Sequence, residues 1–284
     1  MKVTLSIITI NKNNAIGLEK TIKSVLTQTS TNFEYIIIDG ASTDNSIDII
    51  KANEPLFGGR LKWVSEPDKG IYNAMNKGIN MATGEYLQFL NSGDCLAGND
   101  VVEKMLCAVE SNDKPAILYG NMLKVFNNGR IVNDHCFNGS EISFLGFYTG
   151  TLNHSPAYIR RNLFEKYGFY DESLKIVSDW KWYLKAIIFG DIKPAYTNID
   201  VTLFDMYGIS ETNKSLDKAE RRKVLEELIP STILKDYDDF HFNIEQFKRL
   251  KRHPWAFKFV YFLERCLFKY EKLKDKSANI QQYK

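Results

Sequence analysis

The chain has 284 residues, 44% hydrophobic and 25% charged, enough apolar surface to bury one large core plus an appendage and too much for a disordered polymer. A formal net charge of only +2 gives no sign of a nucleic-acid partner. Cys95, Cys107, Cys136 and Cys266 are widely separated and form no CxxC pair, which excludes a zinc cradle or disulfide framework and points to a reducing, cytoplasmic compartment.

The apolar run from Met1 to Ile10 is followed by Asn11, Lys12, Asn13 and Asn14 without a small-residue cleavage pattern, so Val3 to Ile10 is read as a first strand rather than an export signal. Its near-continuous apolar character is that of a parallel strand covered on both faces. Leu18, Ile22, Val25 and Leu26 mark one face of a helix. Tyr35 to Ile38 is a second buried strand, ending at Asp39. Ser42, Thr43 and Asp44 then offer capping side chains to a helix carrying Ile47, Ile49 and Ile50. Leu61 to Val64 reads as a third strand.

Ile71, Ala74, Met75, Gly78, Ile79 and Ala82 recur with helical spacing, and Gly84 is expected to end that helix. Tyr86 to Leu90 is a fourth strand, running into Asn91, Ser92, Gly93 and Asp94. Ala116 to Val125 is a further strand, followed by a turn at Asn127, Asn128 and Gly129. After Ser178 comes a helix with Tyr183, Leu184, Ile187 and Ile188 on its apolar side. Alternating strands and helices imply an α/β domain with a mostly parallel central sheet flanked by helices. Asn11, Asp39, Asp68 and Asp94 all follow the carboxyl ends of predicted strands, the edge where open parallel sheets bind ligands.

From about Thr212 the chain becomes Lys-rich and helical, giving expected domains at 1–211 and 212–284. Between Gln246 and Lys284 there are eleven Lys/Arg against three Asp/Glu, on an otherwise mildly acidic chain. Trp255, Phe257, Phe259, Val260, Phe262, Leu263, Leu267 and Phe268 are dense for a solvated helix. A peripheral contact with anionic lipid head groups and a plain solvated basic face are both open readings. No stretch approaches the roughly 18–20 apolar residues that a spanning helix needs.

The segments "TLSIITINKNN", "IIIDGASTDNS", "SEPDKGIYNAMNKGINMATGEYLQFLNSGDCL" and "HSPAYIRRNLFEKYGFYDESLKIVSDWKWYLK" together resemble glycosyltransferase family 2, particularly members from bacterial surface-polysaccharide clusters. The resemblance implies a GT-A type fold. It also implies an inverting transfer of sugar from a nucleotide-diphosphate donor to a saccharide or lipid-linked acceptor; the basic tail is what leaves association with the inner face of the membrane open. In that reading Asp39 contacts the base, with Thr9 and Asn11 bordering the pocket. Asp68, Lys69 and Asn76 lie near the phosphates, where a helix N-terminus and an ammonium group suit an anion. Asn91 to Asp94 occupies the place of the DxD-type metal motif, with Asp94 the ligand of Mn²⁺ or Mg²⁺. Asn91 and Gly93 replace the usual carboxylates, so the donor diphosphate is expected to complete the coordination.

By the same resemblance Asp179 is the catalytic base. His154 faces the diphosphate or acceptor, and Trp180 offers a platform for a sugar ring. Trp182, two residues further on, is a second aromatic near the base, and Arg160 and Arg161 are further phosphate candidates. Two other functions are compatible with such an α/β domain. A nucleotidyltransferase would show a Gly-rich basic signature after the first strand, which "INKNNAIGLEK" lacks. A catalytically inactive nucleotide-binding scaffold would follow if the altered metal motif held no ion.

Overall fold

The computed structural model describes residues 5–126, 128–206 and 213–281; Val3, Asn127 and Thr212 of the expectations above lie outside them. Two compact units are resolved by their internal contacts, Met1–Val224 and Leu225–Lys284, so the first helix of the basic segment begins within the first unit.

The first unit is built on a nine-stranded sheet in the order β3-β2-β1-β4-β8-β6-β9-β5, with β7 paired to β6. β1 (Leu5–Asn11), β2 (Phe33–Asp39), β3 (Leu61–Ser65) and β4 (Tyr86–Phe89) run parallel. Their apolar positions are buried because helices cover both faces: β2 is buried at every position, its Glu34 and Asp39 included. α1 (Ala15–Leu26), α2 (Ser46–Asn53) and α3 (Ile71–Met81) are the intervening helices. Beyond β4 the sheet becomes mixed. β5 (Cys95–Leu96), α4 (Val101–Ser111), β6 (Ile117–Val125), β7 (Ile131–Asp134), α5 (Phe144–Thr149), β8 (Ala157–Arg160), α6 (Asn162–Tyr167), α7 (Ser178–Tyr183) and β9 (Ala195–Asp205) follow in order. β8 is antiparallel to β4 and β6, while β9 runs parallel to β6 and antiparallel to β5.

Two local expectations change. α3 stops at Met81, where Ala82 turns extended, and Gly84 serves another purpose: a Cβ there would lie 2.7 Å from the Ser6 backbone nitrogen. This glycine lets the chain enter β4 against β1. Ser42 does not cap α2 either, because its hydroxyl is drawn to Asp39, and Asp44 instead accepts from Ala15 N at 2.9 Å and Ser46 N at 3.0 Å.

A glutamate knits the amino end of the sheet. Glu34 in β2 accepts from Ser6 Oγ, Lys62 Nζ, Thr83 and Gly84 N, and these donors hold its carboxyl near pKa about 2 although burial pushes the other way. α8 (Lys214–Leu228), α9 (Ser231–Lys251) and α10 (Pro254–Gln281) complete the chain.

Candidate active site

Strand register puts Asn11, Asp39 and Ser65 side by side at the carboxyl ends of β1, β2 and β3. Asp39 is fully buried, and its carboxylate accepts four hydrogen bonds: Asn11 Nδ2 at 2.9 Å, Ser42 Oγ at 2.6 Å, Ser42 N at 2.9 Å and Ser65 Oγ at 2.7 Å. Burial alone would raise its pKa; the donors outweigh it and hold Asp39 below the usual carboxylate range. A carboxylate offers about four acceptor positions, and here the chain fills them. Asp39 thus organises the loop, while Asn11 keeps a buried Oδ1 without a hydrogen-bond partner.

Thr9 lies beneath this rim rather than on it. It is fully buried, and its hydroxyl donates to Leu90 O at 2.6 Å and meets Tyr35 OH at 3.0 Å. Its place in a pocket border is therefore corrected: an inward position of β1 points Thr9 into the core.

The exit of β4 follows β1 closely, with Leu90 N and Ser92 N donating to Ile8 O and Ile10 O. Thr21 of α1 pins the loop, donating to Asp94 O at 2.7 Å and accepting from Gly93 N at 3.0 Å, and Asn14 reaches Ser92. Gly93 has φ of 109°, a conformation that a side chain would strain. Asp94 is 5% exposed and accepts a hydrogen bond from Asp205 N at 3.1 Å. Burial, with the charge of Asp205 behind it, lifts Asp94 to a pKa of about 7. Asn91 Oδ1 is also buried without a partner. Asp205, at the end of β9, was not singled out from the sequence, although it too is an aspartate at a strand end.

Asp68 forms the next part of the rim. Its carboxylate lies over Gly40, accepts from Gly70 N at 3.0 Å and pairs with Lys12 at 3.8 Å. Lys69 is exposed beside it. Asn76, expected near the phosphates, is 7% exposed and clamps another loop. Its Nδ2 donates to Tyr170 O and Glu172 Oε1, and its Oδ1 accepts from Tyr170 N, leaving no amide group for a phosphate.

That clamp brings the second half of the chain to the rim. Tyr72, in the first turn of α3, donates to Asp179 Oδ1 at 2.9 Å and also reaches Ile176 O. Asp179 is half-buried in the first turn of α7. Burial first and the charge of Asp179 second push the phenols of Tyr72 and Tyr183 well above their usual range. His154 stacks on Phe89 at 4.7 Å between centroids and exchanges a hydrogen bond with Tyr170 OH at 2.8 Å. Burial lowers its pKa against a smaller upward pull from Asp179, which makes it a neutral imidazole at pH 7.

Trp180 is not a platform: it is 1% exposed, donates through Nε1 to Phe147 O and Gly150 O, and is covered by Arg221 at 4.6 Å. Trp182 is equally buried, donating to Gly168 O and stacked on Phe164. Arg160 and Arg161 sit at the opposite edge of the sheet, bonded to Tyr86 OH and Gly84 O. A polar groove lined by Gly98, Asp100, Lys104, Asn121 and His135 contains none of the expected site residues.

A parallel α/β half with ligand-facing strand ends, joined to a mixed half that returns a carboxylate to the same rim, is the architecture of GT-A glycosyltransferases. The family model for "Glycosyl transferase family 2" matches residues 6–168, and the chain belongs to that family. It is 27% identical over 213 residues to a "PGL/p-HBAD biosynthesis glycosyltransferase" of Mycobacterium bovis, covering 75% of this chain and 80% of the relative. It is 35% identical over 189 residues to an uncharacterized glycosyltransferase of Mycobacterium tuberculosis, covering 65% and 69%. Among solved structures it is similar to S. aureus TarS 1–349 in complex with UDP, with a TM-score of 0.59, 20% identity, 71% of this chain covered and 60% of that one, short of two thirds of its length. A mannosyltransferase from Pyrobaculum calidifontis, in complex with GDP-Man and Mn²⁺, gives a TM-score of 0.59 at 15% identity, covering 89% and 72%.

Proposed function

We propose that this chain transfers a sugar, with inversion, from a nucleotide-diphosphate donor to a saccharide or lipid-linked saccharide acceptor in bacterial surface-polysaccharide assembly. The observation that carries the reading is the convergence of two distant segments on one rim: Asp179 is bonded to Tyr72 immediately after the Asp68-Lys69-Gly70 turn, and that turn is tied to Lys12 at the end of β1. Complexes of similar proteins with UDP, UDP-GlcNAc and GDP-Man support a nucleotide-sugar donor.

In this mechanism the acceptor hydroxyl oxygen attacks the anomeric carbon, its proton passes to an Asp179 carboxylate oxygen, and the bond to the nucleoside diphosphate breaks on the opposite face. Tyr72 orients the base. His154, neutral, is left to hydrogen-bond donor or acceptor. Lys69 and Lys12, beside the Asp68 turn, are the cations offered to the diphosphate, while Asn11 and the Asp39 loop border the nucleobase.

Asp94 and Asn91 fit a hard divalent cation, since both offer oxygen donors and Asn91 Oδ1 lacks a partner. No three His, Cys, Asp or Glu side chains converge among the described residues, so Mn²⁺ or Mg²⁺ would share its coordination with the donor. When bound, the ion would neutralise charge on the leaving diphosphate. Calorimetry with UDP, with and without Mn²⁺, tests this; absence of both binding and donor hydrolysis would favour an inactive scaffold.

The decisive variant is Asp179→Asn. It is expected to keep nucleotide affinity and to lower turnover by roughly 10²–10⁴-fold, read as free nucleotide released from a panel of UDP-, GDP- and dTDP-sugars. Unchanged turnover would remove Asp179 from the role of base.

The second unit supports work on the inner face of the membrane. No described helix is long and apolar enough to cross a bilayer. On α10, however, Trp255, Phe259, Phe262, Leu263, Leu267 and Tyr270 share one exposed face, and Lys258, Arg265, Lys269 and Lys272 form a stripe along its flank. Sedimentation with phosphatidylglycerol vesicles should weaken with salt and fall in a Phe259→Ser/Phe262→Ser variant; equal sedimentation of variant and wild type would discard the contact.

A further inference from the structure

The basic C-terminal segment begins with a helix that reaches the proposed base. Glu220, in the middle of α8, is 8% exposed, and its carboxylate closes on three consecutive backbone amides: Lys175 N at 2.8 Å, Ile176 N at 2.9 Å and Val177 N at 3.3 Å. Successive amides that converge on one anion make a nest, and bonds to a carboxylate are stronger than neutral ones. These three residues immediately precede Ser178 and Asp179. The next side chain, Arg221, lies over the ring of Trp180 and donates to Gly150 O at 3.0 Å, the carbonyl that also accepts from Trp180 Nε1. Asp179 is thus held between two residues fixed by α8: the loop before it by Glu220, the indole after it by Arg221. Tyr72 donates directly to the Asp179 carboxylate.

We propose that α8 is part of the catalytic apparatus, with Glu220 a positioning residue that sets the carboxylate of Asp179. The proposal rests on the reading of Asp179 as the base. Its physical content is specific. Ordinary surface helices dock through apolar faces, as Val224 does here, fully buried. A buried carboxylate spanning three amides in an otherwise irregular loop fixes backbone direction as well as depth. Proton transfer tolerates little displacement of the base, and about 1 Å of misplacement costs on the order of 100-fold in rate. Glu220 therefore acts on turnover through Asp179 and leaves the nucleotide rim of β1, β2 and β4 untouched.

The test compares Glu220→Gln and Glu220→Asp with wild type in the full chain, with exposed Lys223→Gln on the same helix as control. Molecules competent to bind UDP are counted by calorimetry. Turnover per competent molecule is read as nucleotide release from the donor that the panel selects, and hydrogen exchange follows the 175–181 amides. Glu220→Gln should lower kcat by about 10–100-fold with donor KM unchanged and faster exchange confined to 175–181. Glu220→Asp should recover part of the loss, and Lys223→Gln should behave as wild type. If Glu220→Gln loses only competent molecules while kcat per molecule holds, Glu220 serves folding and the proposal is overturned. If Asp179→Asn is itself silent, the reading beneath it fails; if Asp179→Asn abolishes transfer and Glu220→Gln does not slow it, the positioning role alone fails.

Discussion

Asp39 and Asp94 stand at the ends of two strands of the same sheet, both nearly sealed from solvent, and differ in what surrounds their oxygens. Asp39 receives four donors from the chain and is held below the usual carboxylate range. Asp94 accepts from the backbone nitrogen of Asp205, faces the charge of Asp205 and is lifted to about 7. Burial raises both; at Asp39 four donors outweigh it, while at Asp94 one backbone donor does not and the charge of Asp205 adds to it. A carboxylate whose acceptor sites are filled is a piece of architecture. One that is buried and undersupplied has room for a partner from outside, which under the proposed function would be a divalent cation.

Glu34 extends the first side of this comparison to the other edge of the sheet and carries the largest expected effect. Its folded pKa of about 2 lies below the ordinary glutamate value of 4.5, so its ionised form stabilises the fold above about pH 4.5, and that contribution disappears as pH falls through 2. Glu34→Gln should cost about 3 kcal/mol at neutral pH, measured by urea unfolding, with the gap to wild type closing in acid. A gap independent of pH would mean that shape, not charge, is what Glu34 provides.

Next in size is Asp94→Asn. Removing the undersupplied carboxylate should weaken Mn²⁺-dependent binding of UDP by about 100-fold and leave metal-free binding as it was, both by calorimetry. Asp39→Asn should behave in the opposite way. Two of its donors lose an acceptor, which costs about 2 kcal/mol of stability, while the Mn²⁺ dependence of binding persists. If both variants lost the metal effect equally, the division between architectural and ligand-seeking carboxylate would not hold.

How far such distinctions could be read in advance depends on the distance over which they are made. Strand and helix periodicity in residues 5–90 is local, and the parallel half of the sheet follows from it. Strand-end aspartates were legible for the same reason. Burial of Thr9 and Asn76 was not, because each sits on a correctly identified element and only the packing of residues 90 and 170 against it decides which way its polar group is used. Glu220 carries no motif, and Asp205 ends a strand not identified from the sequence: their partners are 43–45 and 111 positions away, brought near by α8 beside α7 and by β9 beside β5. Trp180 and Trp182 illustrate the converse, since their place beside Asp179 suggested a sugar platform, whereas both indoles donate to backbone carbonyls and are buried.

Tyr72 gives the smallest and sharpest test, because it belongs to neither kind of carboxylate site and joins the halves. Its single phenolic proton is shared between Ile176 O and Asp179 Oδ1, in a position 4% exposed. Tyr72→Phe keeps the ring and its packing against Tyr170 at 5.6 Å. What it removes is one donor, leaving Asp179 anchored from behind by the loop that Glu220 holds but unsteered in front. A drop in kcat of about 10-fold, at unchanged donor KM and unchanged UDP affinity, would place the effect on the base alone. A rise in donor KM of the same size would instead mean that Tyr72 shapes the phosphate turn at Asp68, and that the two halves of the rim are coupled through the donor rather than through the proton.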